Sequence, residues 1–86
     1  MKNAYELLLD APDAQVKRCQ LAFKAIAAGE WQDAAGFLRN AAKEEGSTLW
    51  ANEAIALADA CQKRVNPHRL VAPNEKAARY GGANLA

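Results

Sequence analysis

Apolar residues recur at three- and four-residue steps through most of Gln15–Lys43, and the pattern breaks once, at Gly29. That period gathers them on one face of a helix, whereas a strand would need alternation at every second residue. Val16, Cys19, Phe23 and Ile26, with Ala22 between them, make a first stripe. Trp31, Ala34, Ala35, Leu38, Ala41 and Ala42 make a second, widened by Phe37. Lys17, Arg18, Gln20 and Lys24 fall largely off the first stripe. Gly29 stands just past the last apolar residue of the first stripe, where a helix stop belongs. The stretch reads as two amphipathic helices joined by a tight turn.

The flanking segments add to this pair. Asn3 with Glu6 three residues on makes a capping-box signal for a short helix over Ala4–Leu9, with Tyr5, Leu8 and Leu9 as its apolar side and the role of a lid. Pro12 is tolerated in a first helical turn, so the second helix spans about Pro12–Ala28. The third spans about Trp31–Glu45, with Gly36 in mid-helix suggesting the close approach of another backbone. After Gly46, Ser47 or Thr48 caps a fourth helix over Leu49–Val65. Its stripe is Trp50, Ala54, Leu57 and Cys61, flanked by Ala51, Ile55 and Ala58. Asn66-Pro67 stops it, because the residue before proline is pushed out of helical geometry.

No period-two run and no Asn-Gly or Asp-Gly hairpin occurs. The expected fold is all-α: a small antiparallel three-helix bundle with a short N-terminal helix and a partly ordered C-terminal tail. The division is a helical domain over 1–66 and a basic, Pro- and Gly-containing tail over 67–86. Within the tail, Leu70 and Val71 can anchor an extended segment, and Pro73–Tyr80 can form a short helix ended by Gly81.

An 86-residue chain supports only a thin core. Alanine supplies much of the 51% hydrophobic content here and buries little area, which makes homo-oligomerisation a natural remedy. The net charge of +1 argues against a strongly basic nucleic-acid binder, but it hides an asymmetry. Residues 1–62 hold six Lys/Arg against nine Asp/Glu, and residues 63–86 hold five against one. The three-leucine run Leu7–Leu9 is too short for a secretory signal or a membrane span. Cys19 and Cys61 form no CxxC pair and suit a reducing compartment, so the expected location is cytoplasmic.

Catalytic and cofactor signals are weak throughout. Both cysteines fall on apolar stripes, which favours buried, protonated thiols. His68 stands alone, without Cys or carboxylates at ligand spacing, so no metal site is expected. Gly81-Gly82 opens no helix that could cradle a phosphate. Glu44 and Glu45 sit at a helix end pointing to different sides, as solvated groups. The Ala42-to-Gly46 spacing fits a helix-turn-helix reader, but the recognition helix would begin Thr48–Ile55, with Glu53 and no Lys or Arg before Lys63. No catalytic set, cofactor or metal is predicted.

Gln15–Gly46 resembles a tetratricopeptide repeat. Leu21-Ala22 stands as the first large–small pair, Gly29-Glu30-Trp31 as the turn, and Ala34, Leu38 and Ala41 along the second helix. Arg18 and Ala25 replace the family's larger residues, Gly46 stands where the unit ends in proline, and one unit covers about a third of the chain. The resemblance implies a protein- or peptide-binding module and not an enzyme.

Two function classes follow. The first is a small non-enzymatic protein-binding factor: an adaptor, a chaperone-like cap or an inhibitor of a larger protein. Small size alone points further, toward a phage- or mobile-element-encoded factor acting on a host protein. Trp31 and Trp50 at their helix starts, with Phe37, are the anchor candidates. The second is a nucleic-acid-associated factor using Lys63, Arg64, Arg69, Lys76, Arg79 and Tyr80, the last by base stacking.

Overall fold

The computed structural model describes residues 2–63 and Leu70. Among these residues the chain is all-α and contains no strand. Helix α1 (Ala4–Leu9) is followed by a 3₁₀ turn at Asp13–Gln15, then by α2 (Val16–Ala27), α3 (Trp31–Glu45) and α4 (Leu49–Lys63).

Each helix end has a local cause. The Asn3 side chain accepts the Glu6 amide at 2.9 Å, and the Asn3 amide donates to Glu6 Oε1 at 3.2 Å, completing the capping box. Pro12 does not begin α2. It precedes the 3₁₀ turn, in which the Gln15 amide donates to the Pro12 carbonyl at 2.8 Å, and regular α geometry starts at Val16. Such tighter turns are common at helix starts, and this one delivers the Gln15 side chain to the interior. Gly29 and Gly46 have φ of +78° and +75°, which suits glycine and strains other residues. Thr48 caps α4, its Oγ1 accepting the Ala51 amide at 3.1 Å.

α3 is the central element, packed on α2 on one side and on α4 on the other, while α1 packs on both α2 and α4. The starts of α2 and the end of α3 meet, so this hairpin is antiparallel. The core combines Leu7 and Leu8 with Cys19, Ala22, Phe23 and Ile26 of α2, the Ala34–Ala42 stripe of α3, and Trp50, Leu57 and Cys61 of α4. Small residues make up much of this core: Ala34 and Ala41 of α3 and Ala51, Ala54 and Ala58 of α4 are all fully buried.

Four expectations are corrected. Leu7 and not Leu9 completes the buried side of α1, because Ala4, Leu7 and Leu8 share one helical face while Leu9 is 60% exposed. Ile55 turns outward from the α4 stripe, 40% exposed. Gly36 meets no approaching backbone: it is exposed, and a Cβ built on it would touch nothing within 4 Å. Leu70 is fully buried, as an anchor should be, but its backbone is helical and not extended. The end expected for helix four at Val65 and the other tail assignments, including His68, lie outside the described residues.

Candidate functional site

The outer side of the α2–α3 hairpin carries an open concave surface. α2 has a second face, offset from its core stripe, where Leu21, Lys24, Ala25 and Ala28 recur at helical spacing. α3 presents Asp33 and Phe37 on its adjacent side, with Glu30 just before its first turn. Together they line an open groove of about 460 Å³. Its floor is apolar: Leu21 is 41% exposed, Phe37 is half-buried against the core, and Ala25 lies beneath.

A second, shallower concavity of about 300 Å³ adjoins it, lined by Gly29, Glu30, Trp31, Gln32 and Asp33. Glu30 and Asp33 belong to both and stand between them. Asp33 sits in the first turn of α3, where the helix dipole favours a carboxylate. Glu30 occupies the N-cap position, yet no side-chain hydrogen bond caps the helix.

The aromatic candidates divide. Trp31 and Phe37 are half-buried and border adjoining parts of this surface. Trp50 is not exposed. It is 8% accessible, and its indole Nε1–H donates to the Leu7 carbonyl at 3.0 Å. That carbonyl lies in the last turn of α1, where helix carbonyls lack intrahelical partners, so Trp50 closes the end of one helix while filling the core. Of the basic candidates, Lys63 is exposed at the end of α4; Arg64, Arg69, Lys76, Arg79 and Tyr80 lie outside the described residues.

A polar cluster joins the opposite end of the hairpin. The fully buried Gln15 donates from Nε2 to Glu44 Oε1 at 3.1 Å and Glu45 Oε2 at 3.0 Å. Its Oε1 accepts from Arg18 Nη1 at 3.0 Å, and the same nitrogen donates to Glu44 Oε2 at 2.6 Å. Glu44 and Glu45 thus converge on one amide and do not point apart. Arg18 first, and Gln15 to a lesser degree, hold the Glu44 carboxyl below its ordinary pKa. The cluster ties two helices together and leaves none of Gln15's polar atoms spare. Gln15 was findable in the sequence, since Gln15, Cys19, Ala22 and Ile26 share one stripe.

Cys19 and Cys61 are buried free thiols whose pKa values desolvation raises to about 11. At neutral pH such thiols are protonated and weakly nucleophilic. Among the described residues no group of three or more His, Cys, Asp or Glu is placed to hold a metal ion. No described helix is long and apolar enough to cross a membrane. The outward face of α4, with Asn52, Ile55, Ala56 and Asp59, carries no cation before Lys63 in its last turn, which is poor for a DNA-reading helix. Comparison with protein-family models, characterised proteins and solved structures returns no match to this chain.

Proposed function

We propose that this chain is a small non-enzymatic protein-binding factor, an adaptor, cap or inhibitor that holds a segment of a larger protein on its α2–α3 hairpin. In this reading α2–α4 act as an antiparallel three-helix unit lidded by α1. The hairpin works as tetratricopeptide-like hairpins do, presenting the surface between its helices.

The observation that carries the reading is the groove itself. Leu21 and Phe37 leave apolar area uncovered on a surface otherwise built from charged side chains and alanine. Exposed large apolar groups in a polar-rimmed concavity mark interaction sites more often than isolated surface leucines do. The low nucleophilicity of both thiols further favours binding over chemistry.

The test is a tagged pull-down from native cell extract, with and without nuclease, read by mass spectrometry. A stoichiometric protein retained after nuclease is the expected result. Loss of every partner after nuclease overturns the reading and turns attention to Lys63 and the basic residues beyond it.

A further inference from the structure

The charges around the groove specify what kind of segment would fit, an argument that rests on the protein-binding reading above. Most carboxylates elsewhere on the described surface are engaged. Asp10 and Glu53 pair with Lys2, Glu44 with Arg18, and Asp59 with Arg39, while Glu45 accepts from Gln15 and Glu6 from the Asn3 amide. Glu30 and Asp33 have no ion pair and no side-chain hydrogen bond among the described residues. Both are exposed, and both stand where the apolar groove meets the Trp31 concavity.

An indole sharing a concavity with two carboxylates that lack an ion pair among the described residues is a favourable setting for a cation: the ring face attracts it by its quadrupole and the carboxylates by charge. The adjoining apolar floor suits a large aliphatic or aromatic side chain. We infer that the hairpin surface binds a partner-protein segment presenting an Arg or Lys beside a large apolar residue, the cation over Trp31 between Glu30 and Asp33 and the apolar side chain between Leu21 and Phe37. Lys24, also on the groove wall, disfavours a second cation at the α2 side and so gives the segment a direction.

The test is selection of a random-peptide phage library on the immobilised full chain, with counter-selection on the E30Q/D33N variant. Circular dichroism of the variant checks that it stays folded. Enriched sequences should carry the basic–apolar pair. A synthesised winner should bind E30Q/D33N about tenfold more weakly and W31L about two- to fivefold more weakly, as exposed ion pairs and cation–π contacts are worth. Affinity for the wild type should fall with added salt.

Absence of enrichment, enrichment without the basic–apolar pair, or equal affinity for E30Q/D33N overturns the inference. Two other occupants have distinct signatures. If truncation after Leu70 strengthens peptide binding tenfold or more, the chain's own residues 71–86, which include Arg79-Tyr80, compete for the groove, and the partner assignment fails. A chain that is dimeric as wild type and monomeric as E30Q/D33N would place a second copy there instead. In the pull-down, a protein retained equally by E30Q/D33N removes this site but leaves the binding function standing, whereas loss of all partners to nuclease removes the function itself.

Discussion

Replacing Trp50 by Phe tests the account of how α1 is held. The substitution keeps an aromatic ring but removes the Nε1–H that donates to the Leu7 carbonyl. Leu7 is 1% exposed, so water has little route to replace the lost donor. A buried acceptor left without its partner costs about 1–3 kcal/mol. The smaller ring adds about 1 kcal/mol of lost packing. The sum is roughly 2–4 kcal/mol, against about 4–13 kcal/mol of total stability for a chain of 86 residues. At roughly 4–8 °C per kcal/mol, the melting temperature should fall by about 8–32 °C. Urea and thermal unfolding followed by circular dichroism measure this, and amide hydrogen exchange should show α1 losing protection first. The control is Trp31→Phe, a half-buried ring without a hydrogen bond of this kind among the described residues, which should cost less than about 1 kcal/mol. Equal losses for W50F and W31F would refute the distinction between an indole that closes a helix end and one that borders a surface.

Alanine should act with opposite signs at two glycines: G36A gains about 0.5–1 kcal/mol, because the site is helical, exposed and unobstructed, while G46A loses about 1–3 kcal/mol at φ +75° and ψ −142°; denaturant midpoints decide both. Native Cys19 and Cys61 should resist a thiol-reactive dye at pH 8, where a pKa near 11 leaves about a hundredfold less thiolate than the ordinary value of 9.0, and labelling should rise with urea along the unfolding curve. Arg18 depresses the Glu44 pKa below 4.5, so its contribution to stability is present above that pH and disappears as the pH falls through the folded-state value. E44Q, which keeps an acceptor for Gln15, should therefore be less stable than wild type at pH 7 and converge with it in acid; a difference unchanged by pH would count against the ion pair.

The helices were legible because their signals are local. The capping pair Asn3 and Glu6, the stops at Gly29 and Gly46, and the period of Trp31–Ala42 each act within one or two turns. What stayed hidden depends on partners far apart in the chain. Trp50 looks like a surface anchor until Leu7, 43 residues earlier, places a carbonyl against it. Gln15 falls in line with the α2 core stripe, but its partners are invisible until the end of α3 brings Glu44 and Glu45 to its amide.

The groove illustrates the same limit from the other side. Leu21 belongs to no core stripe, and in isolation an off-stripe leucine is an ordinary surface residue. It becomes part of a floor only because the Gly29 turn folds α3 back along α2, setting Phe37 and the pair Glu30 and Asp33 beside it. Two weak stripes, Leu21–Ala25–Ala28 on one helix and Glu30–Asp33–Phe37 on the next, thereby become one surface. Lengthening the turn should separate the two roles of this hairpin. One glycine inserted after Gly29 adds little loop entropy, and the Gln15–Arg18–Glu44–Glu45 cluster still ties the far end. Stability should drop by less than about 1 kcal/mol, while the offset between Leu21 and Phe37 shifts and binding of a selected peptide weakens. Affinity unchanged by the insertion would mean that the groove's shape does not govern recognition, and that only the charges at the start of α3 do.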